Sequence, residues 1–438
     1  MAHTFGIGPW DDKPANVTYH EAQDEKDLLE QFIKYWRKEK FDIITGWNVN
    51  TFDITYLCNR VDRVFGSESH KKFSPWNMCD IREFKTNWGS TQQVFNLYGI
   101  NVIDYLELYK KHTFVNQESY RLDHIAQVEL GKAKVSYEEE GSLHHLYRLN
   151  YSKFLAYNVK DVTLVEDLED KLGLMELILA MSYNAKCNYN DTFGMVKYWE
   201  TIIYNFLKEQ KIATPPQKLS QTKGDRIQGA YVKEPIVGKH EWVVSFDLNS
   251  LYPHIIMQYN ISPEKMQRGL TDTSVEKLFN KETIVDGALG ITPNGARFSN
   301  DKQGFLPELM QQFYDERKLW KRKMIEYQQE LQTCKDRKRK NELNTLIKRS
   351  YNNQQVRKIA LNSAYGALAN QWFAFFDVDL AEAITTSGQL IIQWGEKTIN
   401  EWLNQVLKTE GKDYVIAIDT DSLYITLDDL VKQVFPED

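Results

Sequence analysis

Trp242-Val-Val-Ser-Phe-Asp-Leu-Asn-Ser-Leu-Tyr-Pro253 and Tyr414-Val-Ile-Ala-Ile-Asp-Thr-Asp-Ser-Leu-Tyr-Ile425 decide how this chain reads. In each, an apolar run rich in β-branched residues stops at aspartate: Asp247 in the first, Asp419 and Asp421 in the second. Such a pattern reads as strands that end in carboxylates at one edge of a sheet, within reach of water and a ligand. Hard oxygen donors so placed suit a pair of Mg²⁺ ions, which take one or two carboxylates from a protein and keep sites for water and phosphate. Phosphoryl transfer is the chemistry this implies. An isolated Asp-Thr-Asp would read as a turn former, but here strands flank it and Asp247 has a pattern of its own.

Between these stretches lies Lys358-Ile-Ala-Leu-Asn-Ser-Ala-Tyr-Gly366. Lys358, Asn362 and Tyr365 fall at helical steps of four and three and so share one face. A cation, an amide and a phenol on one stripe can meet a phosphate, a sugar and a base edge. In order along the chain, Asp-Leu-Asn-Ser-Leu-Tyr-Pro, Lys-x-x-x-Asn-Ser-x-Tyr-Gly and Asp-Thr-Asp-Ser resemble motifs A, B and C of family B DNA polymerases. The flanking sequence is similar to the replicative polymerases of T-even-like bacteriophages. Three motifs in order carry far more weight than any one alone.

The resemblance implies a mixed α/β, multidomain fold. A truncated, ribonuclease H-like 3′-5′ exonuclease domain is expected over residues 1–173, and a helical connector over 174–216. A palm with an antiparallel sheet is expected over 217–303 and 371–438, interrupted by helical-hairpin fingers over 304–370. Length agrees with several domains, because 438 residues at roughly 150 per domain suggest about three.

Composition is that of an ordinary globular chain, 42% hydrophobic and 26% charged. The net charge of −7 excludes a uniformly basic coat for nucleic acid. From Asp315 to Lys358, however, 14 Lys and Arg stand against 6 Asp and Glu, a local +8 that leaves −15 on the remainder. One basic arm on an acidic body is compatible with DNA held in a single groove. Cys58, Cys79, Cys187 and Cys334 are scattered without zinc spacing, as in a reducing cytoplasm, that of a host cell if the chain is viral. No apolar run approaches the ~18 residues of a membrane span, and the start lacks a signal-peptide core.

Phe41-Asp-Ile-Ile-Thr-Gly-Trp-Asn-Val-Asn-Thr-Phe-Asp53 reads as a buried strand, a glycine turn and the start of a helix. Tyr157-Asn-Val-Lys-Asp161 lies in a helical pattern from Tyr151 to about Leu172, which sets Tyr157 and Asp161 one turn apart. These segments resemble the second and third exonuclease motifs of the same family, in which four carboxylates bind two metals and a tyrosine orients water. Asp53 and Asp161 match two of the carboxylates, and Tyr157 matches the phenol. No Asp-x-Glu at a strand end precedes Asp53. Asp11-Asp12 and Asp24-Glu25 lack both the strand and the spacing, so this chain alone is expected to be a weak or inactive exonuclease.

Ile227-Gln-Gly-Ala-Tyr-Val-Lys-Glu-Pro235 is similar to the family's linker between exonuclease and palm, which touches template. A glycine hairpin packing two domains is an equal reading. Gly304-Phe-Leu-Pro307 reads as a helix start with proline in the first turn, running to about Thr333. A second helix from about Lys340 to Leu368 completes an antiparallel hairpin, shorter at its tip than in phage relatives.

By resemblance, Asp247 and Asp421 bind two Mg²⁺ ions, with the Leu248 carbonyl as a further ligand, Mn²⁺ as a substitute metal and Asp419 in support. Arg317, Lys321 and Lys358 match ligands of the triphosphate, where arginine offers a planar fork and lysine a point charge. The cluster Lys335 to Lys340 reads better as a solvated face. Leu248, Ser250, Leu251 and Tyr252 complete the nucleotide site, with the Tyr252 ring under the deoxyribose, where a 2′-hydroxyl would collide. Asn362, Tyr365 and Gly366 line the nascent base pair, while Ser363 and Ala364 suit helix packing.

The resemblance runs from about Glu21 onward and covers the middle of a complete family member. The first exonuclease motif, the N-terminal domain and the thumb are expected to lie outside it, supplied by other polypeptides if the replicase is split or by a longer gene if it is not. Primer-template DNA and dNTPs are the expected partners; a sliding clamp and a membrane are not. Two rival readings are an inactive DNA- or nucleotide-binding subunit of a split replicase and, less favoured, a nuclease at Asp53 and Asp161.

Overall fold

A computed structural model of the chain describes residues 2–85, 91–113, 115–132, 141–216, 227–283 and 287–435. Residues 217–226, the expected start of the palm, lie outside the described residues. The chain is a mixed α/β protein of two compact units. The first comprises Met1–Met181 with Asn188–Asn190; the second comprises Ser182–Cys187 and the chain from Asp191 onward.

In the first unit, β1 (Ala2–Ile7) pairs in parallel with β2 (Val17–Ala22), and α1 (Glu25–Glu39) follows. The α1 helix starts where Asp24 accepts a hydrogen bond from the Asp27 N–H, and Glu25 and Asp27 add favourable negative charge to its first turn. Then come β3 (Ile43–Gly46), α2 (Asp53–Phe65), β4 (Cys79–Lys85), β5 (Thr91–Leu97) and β6 (Asn101–Asp104). They are followed by α3 (Tyr105–His112), α4 (Leu122–Leu130), α5 (Leu143–Leu149) and α6 (Tyr151–Leu172). Leu29, Ile33, Trp36, Ile54, Cys58, Val61, Phe73, Phe95 and Leu97 form one core between α1, α2 and β5. Each large side chain there contributes roughly 1.5–3 kcal/mol of burial. The expected buried strand is only half-buried: among the described residues β3 pairs with β6 alone, and Thr45 stays exposed.

α7 (Leu174–Ala185) leads toward α8 (Met195–Glu209) in the second unit. There β7 (Val232–Lys233), β8 (Val243–Asp247), α9 (Leu251–Gln258), α10 (Val275–Phe279), β9 (Leu289–Ile291) and β10 (Arg297–Ser299) precede two long helices. These are α11 (Phe305–Thr333) and α12 (Arg337–Leu368), joined by a short link into a closely packed hairpin. α13 (Val378–Leu407), β11 (Val415–Asp419), β12 (Ser422–Thr426) and α14 (Asp428–Val434) complete the unit. The sheet order is β7-β11-β12-β8, antiparallel throughout. Val415, Ile418, Leu423 and Ile425 are buried together with Ile392 and Leu403 of α13.

The hairpin is fixed at both ends of its contact. At the start of α11, Ser262 and Glu264 accept the Leu306 and Phe305 N–H groups, and Asn260 accepts that of Gly304. These side chains satisfy donors that a helix start leaves unpaired. A Cβ at Gly304 would lie 2.6 Å from that of Ser262, so glycine is required there. Between the helices, the buried Arg357 donates from Nε to Glu316 Oε2 at 2.8 Å. α8 packs on α12, with Trp199 Nε1 donating to Ser363 Oγ at 3.1 Å.

The glycine linker is not a hairpin. It runs extended along α13: Gln228 N–H donates to Glu382, Thr385 donates to the Gln228 carbonyl, and Gln389 donates to that of Gly229. No helix among the described residues is long and apolar enough to cross a membrane, and all four cysteines are free thiols.

Candidate active site

Strand register brings two of the sequence-predicted carboxylates together. Asp247 closes β8 and lies opposite Ser422 of β12, next to Asp421. The Leu248 N–H then donates to the Asp421 carbonyl at 2.8 Å, tying the end of β8 to the turn that bears Asp421. That turn is tight: the Asp421 N–H donates to the Asp419 carbonyl at 2.6 Å, and Thr420 between them has φ 57°. A β-branched residue in this region costs about 1–3 kcal/mol. Thr420 is held there by its N–H on the Tyr231 carbonyl at 3.1 Å and its hydroxyl on Asp419 at 3.1 Å. Ser250, just before α9, has the same left-handed backbone with φ 57°. Non-glycine strain therefore flanks the carboxylates on both strands.

Burial raises the Asp421 carboxyl above its ordinary value, and the charges of Asp247 and then Asp419 raise it further. A backbone hydrogen bond at Asp421 works the other way. Among the described residues, no three His, Cys, Asp or Glu side chains converge to hold an ion, while Asp419 lies opposite Ser422 of β12 on the other side from Asp247. Two repelling carboxylates with a nearby carbonyl, all hard oxygens, are a donor set that fits a divalent cation completed by water or phosphate.

Tyr252 lies in the first turn of α9, half-buried, its ring 4.9 Å from that of Tyr365 on α12 and tilted by 52°. Burial, then the Tyr365 hydroxyl and the Asp421 carboxylate, push its phenol up to about 12. The Leu251 side chain is buried. On α12, Asn362 and Gly366 are exposed, and a Cβ at Gly366 would meet nothing within 4 Å. Packing therefore does not demand that glycine. Lys358 is half-buried on the same helix, and Ser363 and Ala364 are taken up in packing.

On α11, Arg317 buries its Nε without a hydrogen-bond partner among the described residues, while Lys321 is exposed. His254 of α9 packs edge-on against Tyr314 of α11, ring centroids 4.7 Å apart, so the helix that carries Arg317 is docked on the helix that carries Tyr252. Behind the turn, Lys233 of β7 bridges Glu396 at 2.5 Å and Asp413. Desolvation works against its charge, and the two carboxylates outweigh it and hold the ammonium above its ordinary value.

In the first unit, Asp53 begins α2 and Asp161 lies on α6, one turn beyond Tyr157. Asp53 is solvent-exposed, yet surrounding protein atoms first, and the charges of Asp104 and Asp161 next, push its carboxyl up to about 6. Asp104 is a residue that reading the sequence missed. Its carboxylate accepts the N–H groups of Asn48 at 3.0 Å, Asn50 at 3.2 Å and Leu106 at 3.0 Å, which shapes the turn leading to Asp53. The signal was present, since Asn101-Val-Ile-Asp104 is again an apolar strand ending in aspartate.

Residues 195–433 match DNA polymerase family B, and residues 8–125 match the exonuclease domain of that family. The chain is 34% identical to the DNA-directed DNA polymerase of Escherichia phage RB69, over 95% of this chain and 50% of the relative. Identity and coverage are the same, 34%, 95% and 50%, with the DNA-directed DNA polymerase of Enterobacteria phage T4. A DNA polymerase of Pyrococcus glycovorans is 24% identical over 95% of this chain and 48% of its own length. The chain thus spans about half the length of the curated relatives it matches. The chain belongs to DNA polymerase family B.

Proposed function

We propose that this chain carries the nucleotidyl-transfer centre of a DNA-directed DNA polymerase, which joins a dNTP to a primer 3′-hydroxyl as a template directs, in viral DNA replication. One observation carries the reading: Asp247 and Asp421 stand side by side at a sheet edge, where the charge of Asp247 raises the Asp421 carboxyl. The reading assigns residues 1–173 to an exonuclease-like domain, 174–216 to a connector, 217–303 and 371–438 to the palm, and 304–370 to the fingers. The names of the phage relatives support it.

Asp247, Asp421 and the Leu248 carbonyl would hold two divalent ions, Mg²⁺ by the hardness of the donors or Mn²⁺ in its place. Bound there, such ions supply charge neutralisation and activation of the primer hydroxyl. The remaining work falls to the chain's own side chains. Arg317, whose buried Nε has no described partner, offers its fork to the triphosphate, with Lys321 and Lys358 as point charges. Tyr252 supports the deoxyribose and excludes a 2′-hydroxyl, with the backbone of Ser250 and Leu251 beneath it. Tyr365 and the exposed Asn362 and Gly366 face the new base pair. Closure of the α11–α12 hairpin over a correctly paired nucleotide would complete this set before chemistry. In the first unit, Asp53, Tyr157 and Asp161 form the corresponding exonuclease-type remnant.

The test is extension of a labelled primer-template with dNTPs and Mg²⁺ at high protein concentration and low salt, beside Asp421→Asn. Extension that the substitution abolishes supports the reading. Extension that persists in Asp421→Asn, or none from a demonstrably folded chain at any concentration, overturns it in favour of a binding subunit.

A further inference from the structure

α13 runs for 30 residues, and Gly388 sits buried near its middle. Glycine is a poor helix former in such a position, so its presence asks for a packing reason. The neighbours supply one. A Cβ at Gly388 would come within 3.1 Å of Tyr252 Cε1, but would lie at 3.7 Å from Leu251 Cδ2 and Ile255 Cδ1. The latter are ordinary contacts; only the tyrosine ring would have to move. On another side, the ring meets that of Tyr365 at 4.9 Å. The Tyr252 ring is thus seated between α13 and α12, and the seat exists because residue 388 has no side chain.

We propose that Gly388 is a positioning residue for sugar recognition: its missing side chain sets where the Tyr252 ring stands and so how well a deoxyribose fits over it. The inference rests on the reading of Tyr252 as the ring beneath the nucleotide sugar. A methyl group at 388 pushes the ring off α13 toward the sugar. The effect passes through the ring, so it disappears when the ring is absent. A merely structural glycine would instead give the same loss whatever stands at 252.

The experiment measures binding of Mg·dCTP and Mg·CTP to the full chain with a dideoxy-terminated primer-template, by calorimetric titration, so that no turnover is needed. Four proteins are compared: the unaltered chain, Gly388→Ala, Tyr252→Ala and the double variant. The unaltered chain should prefer dCTP, and Tyr252→Ala should bring CTP close to dCTP. Gly388→Ala should weaken dCTP binding about tenfold, the scale on which one methylene counts in a packed pocket. The double variant should match Tyr252→Ala within about twofold. Wild-type dCTP affinity in Gly388→Ala, or an equal loss in both backgrounds, overturns the positioning role and leaves the reading of Tyr252 intact. Undiminished discrimination in Tyr252→Ala, or no nucleotide binding by the unaltered chain, overturns that reading and this inference with it. If Gly388→Ala does not fold, a folded double variant supports the clash with Tyr252, and an unfolded one overturns it.

Discussion

The two aspartate pairs in this chain are built by different means. In the second unit, Asp247 and Asp421 are set by backbone: the β8–β12 register, the Leu248 N–H on the Asp421 carbonyl, and the strained turn at Thr420. In the first unit, Asp53 and Asp161 come from two helices, α2 and α6, and a third carboxylate, Asp104, stands near them but is occupied by backbone amides. A pair set by backbone hydrogen bonds keeps its spacing when one side chain changes. A pair set by helix packing depends on everything that holds the helices. The first kind suits a site that must present fixed oxygens to an incoming ligand.

Four substitutions break or sharpen this contrast, taken from the largest expected effect to the smallest. Asp421→Asn keeps shape and removes charge, and should lower incorporation in steady-state primer extension by about 10³-fold, because charge at the reacting phosphate is worth several kcal/mol. Asp53→Asn in the same assay should leave incorporation unchanged. Lys233→Ala removes the cation between Glu396 and Asp413, both partly screened by water, and should destabilise the second unit by about 2–3 kcal/mol in urea titration. Activity per folded molecule should survive, since the Thr420 turn keeps its own hydrogen bonds.

Arg317→Ala should raise the KM for dNTP by roughly tenfold with a smaller change in kcat, the loss of one charged hydrogen-bonding group. The smallest effect concerns pH. Asp53 titrates near about 6 in the folded chain against an ordinary 3.8, so the folded state holds this proton more tightly than the unfolded one. Its contribution favours folding at low pH and is lost as pH rises from about 4 to about 6. The melting midpoint of the first unit should therefore fall over that window, and less so in Asp53→Asn.

What sequence could say follows the same division. Asp247, Asp419 and Asp421 were legible because apolar strands and an Asp-Thr-Asp turn are local patterns; α6 runs from its Asn150 cap to Gly173, and α11 starts at Gly304 with Pro307 in its first turn. The α12 helix begins three residues before its expected start because Asp336 caps it, accepting from the Lys338 and Arg339 N–H groups. The linker at Gly229 was ambiguous, since its partners Glu382, Thr385 and Gln389 lie over 150 residues away on α13. Gly388 was missed for the same reason, since it yields space to a ring on another helix and leaves no period in the sequence. Asp104 ends an apolar strand as Asp247 does, but the amides it serves lie on another loop.

The most direct test of the claim that Asp247 and Asp421 form the metal-holding pair is Mn²⁺ titration followed by electron paramagnetic resonance, with dCTP and a dideoxy-terminated primer-template present. The account predicts nucleotide-dependent Mn²⁺ binding that Asp53→Asn retains and Asp421→Asn loses. Wild-type Mn²⁺ binding in Asp421→Asn would contradict it.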